Sequence, residues 1–119
     1  QKNINKLKEE IYEFFKIAEK DGKKIVGYGA PAKGNTMLNY CKITNELIEY
    51  TVDKNPHKQG LFLPGTHLSI ETPDKIKETK PDYILILPWN LKDEVIEQLK
   101  FIREWGGKFV TTIPKVKIY

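Results

Sequence analysis

Lys24-Ile-Val-Gly-Tyr-Gly-Ala-Pro-Ala-Lys-Gly34 is the stretch that decides the fold. Lys24 to Gly27 reads as a short apolar strand that runs straight into a glycine turn, and Asn35 to Cys41 continues as a helix. Gly27, Gly29 and Ala32 match G-x-G-x-x-[GA] at the place where that pattern closes a strand and opens a helix. Glycine allows the tight turn and lets a phosphate approach the backbone, while Ala32 is small enough for the helix to sit close to the sheet. Exposed N–H groups and the positive end of the helix dipole are expected to face an anion there, with Lys33 adding a point charge. The same glycines would also serve close packing alone, at a crossover of the sheet, and both readings stand.

Outward from this turn the chain alternates strand and helix. Upstream, Ile4, Leu7, Ile11, Phe14, Phe15 and Ala18 recur at helical spacing, and Asp21-Gly22 ends that helix. Downstream, strands are expected over 46–52, 66–70, 83–87 and 108–113. A short helix is expected from Thr72 to Thr79, with Thr72 as N-cap and Pro73 at the first helical position, and a longer one over 91–105. The run Tyr83 to Leu87 is apolar enough for a central strand covered on both faces. Such alternation with short connections predicts a Rossmann-like three-layer α/β sandwich. Its sheet is expected to be five-stranded and mostly parallel, in the order 3-2-1-4-5. One domain is expected over residues 1–119, with a leading helix over 1–21 and a core over 22–114. The start Gln1-Lys2-Asn3 has neither an initiating Met nor a signal-like apolar stretch, so the chain is read as cut from a longer polypeptide.

Composition narrows the function classes. Apolar residues make up 39% and charged residues 30%, ordinary for a folded globular domain. The longest apolar run is far short of the roughly 20 residues of a bilayer span, so no membrane crossing is expected. The lone cysteine, Cys41, rules out an intrachain disulfide and a cysteine-based zinc cluster; it fits a cytoplasmic setting and a buried apolar role. The net charge of +4 comes almost wholly from lysines interleaved with Asp and Glu, with Arg103 the one arginine. Nucleic-acid readers gather positive charge on one face and favour arginine, so that partner is not expected.

Further candidates fall at strand ends. Asp53 stands 24 residues past Gly29 at the end of the second expected strand, where dinucleotide folds place a ribose-binding acid; a loop Asp capping a turn fits equally. His57 and Lys58, in Asp53-Lys-Asn-Pro-His-Lys-Gln-Gly60, lie where they can meet a pyrophosphate or sugar, though a loop His is often only solvated. His67 is a weaker case, and neither His has metal-spaced partners. Trp89 is suited to stacking on a base or to packing under the following helix; Asn90 is suited to bonding a ligand or to capping that helix. Methyl-donor sites carry an acid two residues before the first glycine; Ile25 stands there, so S-adenosylmethionine is not expected to bind. No catalytic set is visible.

Several of these strings are unusual, and in order they carry a resemblance. Gly27-Tyr-Gly-Ala-Pro-Ala-Lys-Gly-Asn-Thr36, Leu38-Asn-Tyr-Cys41, Val52-Asp-Lys-Asn-Pro-His-Lys-Gln-Gly60, Leu63-Pro-Gly-Thr-His67, Pro81-Asp-Tyr83, Leu87-Pro-Trp-Asn90 and Trp105-Gly-Gly-Lys-Phe109 together resemble the C-terminal domain of sugar C-methyltransferases. The resemblance implies a three-part enzyme: a zinc-binding module, a middle S-adenosylmethionine-dependent domain, and this Rossmann-like domain. It implies methyl transfer to carbon of a nucleoside-diphosphate keto-deoxysugar, usually dTDP-linked, lying between the middle and C-terminal domains. The general base and the methyl donor would belong to the middle domain, leaving this domain non-catalytic, with no cofactor or metal of its own. Expected substrate contacts are Gly29, Ala30, Lys33, Asn35, Asp53, His57, Lys58, Trp89 and Asn90. The alternatives are a stand-alone module for NAD or coenzyme A, and a purely structural domain.

Overall fold

The structure is a computed structural model that describes residues 2–119, with the side chains of residues 6–31 and 35–119. Helix α1 (Lys2–Lys20) precedes strand β1 (Ile25–Tyr28), helix α2 (Ala32–Tyr40), and strands β2 (Thr51–Val52) and β3 (Ile70–Glu71). Helix α3 (Lys75–Thr79), strand β4 (Tyr83–Ile86), helix α4 (Lys92–Gln98) and strands β5 (Lys108–Thr111) and β6 (Lys117–Ile118) complete the order, with 3₁₀ turns at Trp89–Leu91 and Lys100–Trp105.

The sheet runs β3-β2-β1-β4-β5-β6. The first five strands are parallel in the expected order. The expected count of five is corrected to six, because β6 pairs antiparallel with β5, with Val110 opposite Ile118. This strand lies beyond Pro114, where the core was expected to end, and Tyr119 secures it by exchanging both backbone hydrogen bonds with Phe109.

Alternation along the strands sends side chains to two layers. Ile25, Leu85, Leu87 and Val110 meet Ile11, Phe15 and Ala18 of α1 and Leu38 of α2 on one face. Val26, Tyr28, Ile84, Ile86 and Phe109 meet Ile76 of α3, Val95 of α4, and Leu99 and Ile102 on the other. Cys41 is buried in the first layer, as expected. Ile4 of the leading stripe lies outside the described side chains.

Several expected boundaries move: the strand expected over 66–70 is only β3 (Ile70–Glu71), and the one expected over 108–113 ends at Thr111. The second strand shortens to its last two residues because 44–48 is a turn: Leu47 and Ile48 both donate to the Thr44 carbonyl, and Thr44 Oγ1 accepts the Glu46 N–H. Thr72 is not a side-chain cap; its carbonyl accepts the Lys75 N–H, and α3 begins after Asp74 without any side-chain cap. The expected helix over 91–105 is α-helical only to Gln98. From Leu99 its apolar residues fall three apart, at 99, 102 and 105, which is the 3₁₀ repeat.

Candidate functional site

The carboxyl ends of β1 and β4 meet at the point where the chain's connections diverge to opposite sides of the sheet. Open α/β sheets place ligands in the crevice at such a switch point. Gly29 closes β1 there and Pro88 follows β4; a Cβ on Gly29 would stand 2.7 Å from Pro88 Cδ. Gly29 has φ +92°, and a Cβ on Gly27 would stand 2.9 Å from Thr51 Oγ1. Packing alone therefore requires glycine at both positions.

The backbone of the turn is more fully used than expected. The Gly27 N–H donates to the Tyr50 carbonyl at 2.8 Å and the Gly29 N–H to the Val52 carbonyl at 2.6 Å. These two groups extend the β1–β2 ladder, so neither of them is an open donor toward an anion. Thr51 Oγ1 donates to the Gly29 carbonyl at 2.7 Å in a fully buried contact.

The loop after β2 folds back onto this turn. Lys58 Nζ lies 3.4 Å from the carbonyl oxygen of Ala30, partly buried. Asp53 realises the turn-capping role: its Oδ1 accepts the Asn55 N–H at 2.9 Å and its carbonyl accepts Gln59 Nε2 at 2.8 Å. His57 is exposed and donates its backbone N–H to Asn55 Oδ1. His67 is also exposed, in a turn where its own φ is +61°.

Gly29, Ala30, Asp53 and Lys58 are thus brought to one edge, with Trp89 and Asn90 in the 3₁₀ turn just past β4. Trp89 is half-buried; Asn90 is exposed and makes no side-chain cap to α4, which corrects its capping role. Asn35 sits in the first turn of α2, where its carbonyl accepts Asn39 Nδ2 and its own Oδ1 is buried without a partner among the described residues. The side chain of Lys33 lies outside the described residues.

Two residues at this edge were not singled out from sequence. Thr51 ties β2 to the turn; a hydroxyl one step before the end of an apolar strand was its only signal. Tyr28, the residue between the glycines, points to the opposite layer and donates its hydroxyl to Gln98 Oε1 at 3.1 Å. Burial raises its phenol above the ordinary range, and the nearby Asp53 and Glu94 carboxylates push the same way.

The residues present do not fit a bound methyl donor. Ile25 occupies the position of the acid and is 2% exposed within the apolar layer. Among the described residues there is no group of three or more His, Cys, Asp or Glu able to hold a metal, and no helix long and apolar enough to cross a membrane.

A Rossmann-like domain with a loop-covered turn at its switch point is therefore the class this geometry defines. Residues 1–114 match the family described as C-methyltransferase C-terminal domain, and the chain belongs to that family. It is 35% identical over 113 residues to C-methyltransferase NovU of Streptomyces niveus, covering 95% of this chain and 27% of that protein. The chain thus spans about a quarter of that relative's length. In fold it is similar to the crystal structure of UDP-D-quinovosamine 4-dehydrogenase from Vibrio fischeri. The TM-score is 0.58 at 19% identity, covering 82% of this chain and 93% of that one.

Proposed function

We propose that this chain is the nucleotide-sugar-positioning domain of an S-adenosylmethionine-dependent C-methyltransferase acting on a nucleoside-diphosphate keto-deoxysugar, of the dTDP-linked kind. In this reading it is one domain, over 1–119, of a longer polypeptide. Methyl donor and general base belong to the neighbouring methyltransferase domain, and the nucleotide lies along the carboxyl edge between the two. Binding energy from the nucleotide, remote from the reacting carbon, orients the keto-sugar for chemistry performed next door.

The observation that carries this is the approach of Lys58 to Ala30 across 28 positions of sequence. It sets a cation beside the start of α2, where the helix dipole also favours negative charge. The proposed contacts are Gly29, Ala30, Lys33, Asn35, Asp53, His57, Lys58, Trp89 and Asn90. Ala30 and Lys58 serve the diphosphate, and Trp89 offers a face for the base. Asp53 keeps a ribose role compatible with its hydrogen bond to Asn55, since a carboxylate accepts several bonds.

Calorimetric titration with dTDP, NAD and S-adenosylmethionine tests the reading, on this domain and on the polypeptide that carries it. The expected result is dTDP binding, with the other two silent on the isolated domain. NAD binding in place of dTDP overturns it in favour of a cofactor module. A second reading is favoured by the packing of Gly27 against Thr51 and Gly29 against Pro88, which explains both glycines without a ligand. Failure of the whole polypeptide to bind dTDP selects that architectural role.

A further inference from the structure

Thr51 is fully buried in the second strand of the sheet, one residue from its end. Valine has nearly the same shape and would leave no polar atom to satisfy, and Val52 beside it is just as deeply buried. The hydroxyl therefore answers a need other than filling space. Its hydrogen bond at 2.7 Å holds the Gly29 carbonyl toward β2. Val52 holds the Gly29 N–H from the same strand, and the missing Cβ of Gly27 makes room for the threonine side chain.

A planar trans peptide points its C=O and its N–H in opposite directions. Fixing the Gly29 carbonyl toward Thr51 thus turns the N–H of Ala30 away from β2. It also withdraws a partial negative charge from the place where a phosphate would sit. The next carbonyl, that of Ala30, is met by Lys58. We propose that Thr51 is a positioning residue, whose hydroxyl locks the Gly29–Ala30 peptide in the orientation that presents the Ala30 N–H to an anionic ligand. This rests on the nucleotide-binding reading above for the identity of the ligand, but not for the lock itself.

The test compares Thr51→Val, which removes only the hydroxyl, with Thr51→Ser, which keeps it. Two readouts are taken on the polypeptide that carries the domain: dTDP affinity by calorimetry, and amide exchange of Gly29 and Ala30 without ligand. Thr51→Val is expected to lose at least tenfold in dTDP affinity and to speed Gly29 amide exchange at least tenfold. Thr51→Ser is expected to stay within about threefold of the parent on both. Equal loss in the two variants overturns the proposal, because methyl packing then matters and not the hydroxyl; so does an unchanged Thr51→Val. If the parent binds no dTDP, the functional reading fails, and amide exchange alone decides whether the lock exists. Should Thr51→Val not fold, Thr51→Ala removes the hydroxyl without adding volume and takes its place.

Discussion

A Cβ placed on Gly29 would come within 2.7 Å of Cδ of Pro88, joining the residue just past β1 to the residue two past the end of β4. Two costs therefore fall on Gly29→Ala. The positive φ disfavours an L side chain by about 1–2 kcal/mol, and overpacking against a rigid proline ring adds about 1–3 kcal/mol. Gly106 has a similar φ of +81° but open space where its Cβ would go. Urea denaturation should show Gly29→Ala destabilised by about 2–5 kcal/mol and Gly106→Ala by only the conformational part, about 1–2 kcal/mol. Equal losses would mean that Pro88 yields and the contact is not restrictive.

Tyr50 gives the domain an alkaline limit. Its hydroxyl lies 2.7 Å from Thr79 Oγ1, and its ring is 3% exposed. Burial raises the phenol above its ordinary value; the Thr79 hydrogen bond opposes this more weakly, and Glu49, Glu71 and Glu78 add to the rise. The folded state thus holds the proton more tightly than the unfolded chain. Stability from Tyr50 is complete below the unfolded value of about 10 and is lost as pH climbs through the raised folded value. Denaturation at pH 8 and pH 11 should show a steeper loss for the parent than for Tyr50→Phe. The variant should give up about 1 kcal/mol at pH 8, where the hydrogen bond still counts. Equal slopes in the two proteins would contradict this account.

Cys41 should behave as a packed apolar residue. It is 2% exposed, and burial raises its thiol above the ordinary range against a weaker opposing effect of Lys8. Reaction needs the thiolate and access together. A disulfide reagent at neutral pH should therefore modify it at a rate set by opening of the fold, accelerating sharply in urea. Fast modification of the native protein would place the thiol in a solvent-open groove instead.

The parallel sheet was legible because its signals are dense. The apolar run 83–87 must be a central strand, and the glycine turn marks where β1 passes into α2. The sixth strand was passed over: Lys115-Val116-Lys117-Ile118 does alternate polar and apolar, but a pattern of four residues names no partner, and the pairing comes from Tyr119 reaching Phe109. The continuous helix over 91–105 misled for a related reason, since one apolar stripe suits an α-helix and a 3₁₀ turn until the spacing is counted. At the site, chain order put Asp53 and Lys58 near a strand end but could not say what they touch. Asp53 turned out to brace its own loop. Lys58 turned out to reach the turn, a contact that depends on how residues 53–60 fold back. The glycine motif signalled its place correctly, yet two of its N–H groups are spent on β2, because the same residues that permit a ligand also permit a tight ladder.

Lys58 separates a binding edge from an architectural one. Its hydrogen bond to Ala30 is long, at 3.4 Å, so removing it should cost the fold no more than about 1 kcal/mol. A bond from an ammonium to a diphosphate is worth about 1.5–3 kcal/mol, which is roughly tenfold to a hundredfold in affinity. Lys58→Ala should therefore lower dTDP affinity by that factor while lowering the thermal midpoint by no more than about 5 °C. Because part of the attraction is screened by salt, the gap between parent and variant should narrow from 50 mM to 500 mM salt, taken as roughly a threefold shorter screening length. Lys58→Arg keeps the charge but changes the donor geometry, and should fall between the two. A Lys58→Ala variant that binds dTDP as the parent does, at both salt concentrations, would remove the cation from the site and leave its contact with Ala30 as a brace between loop and turn.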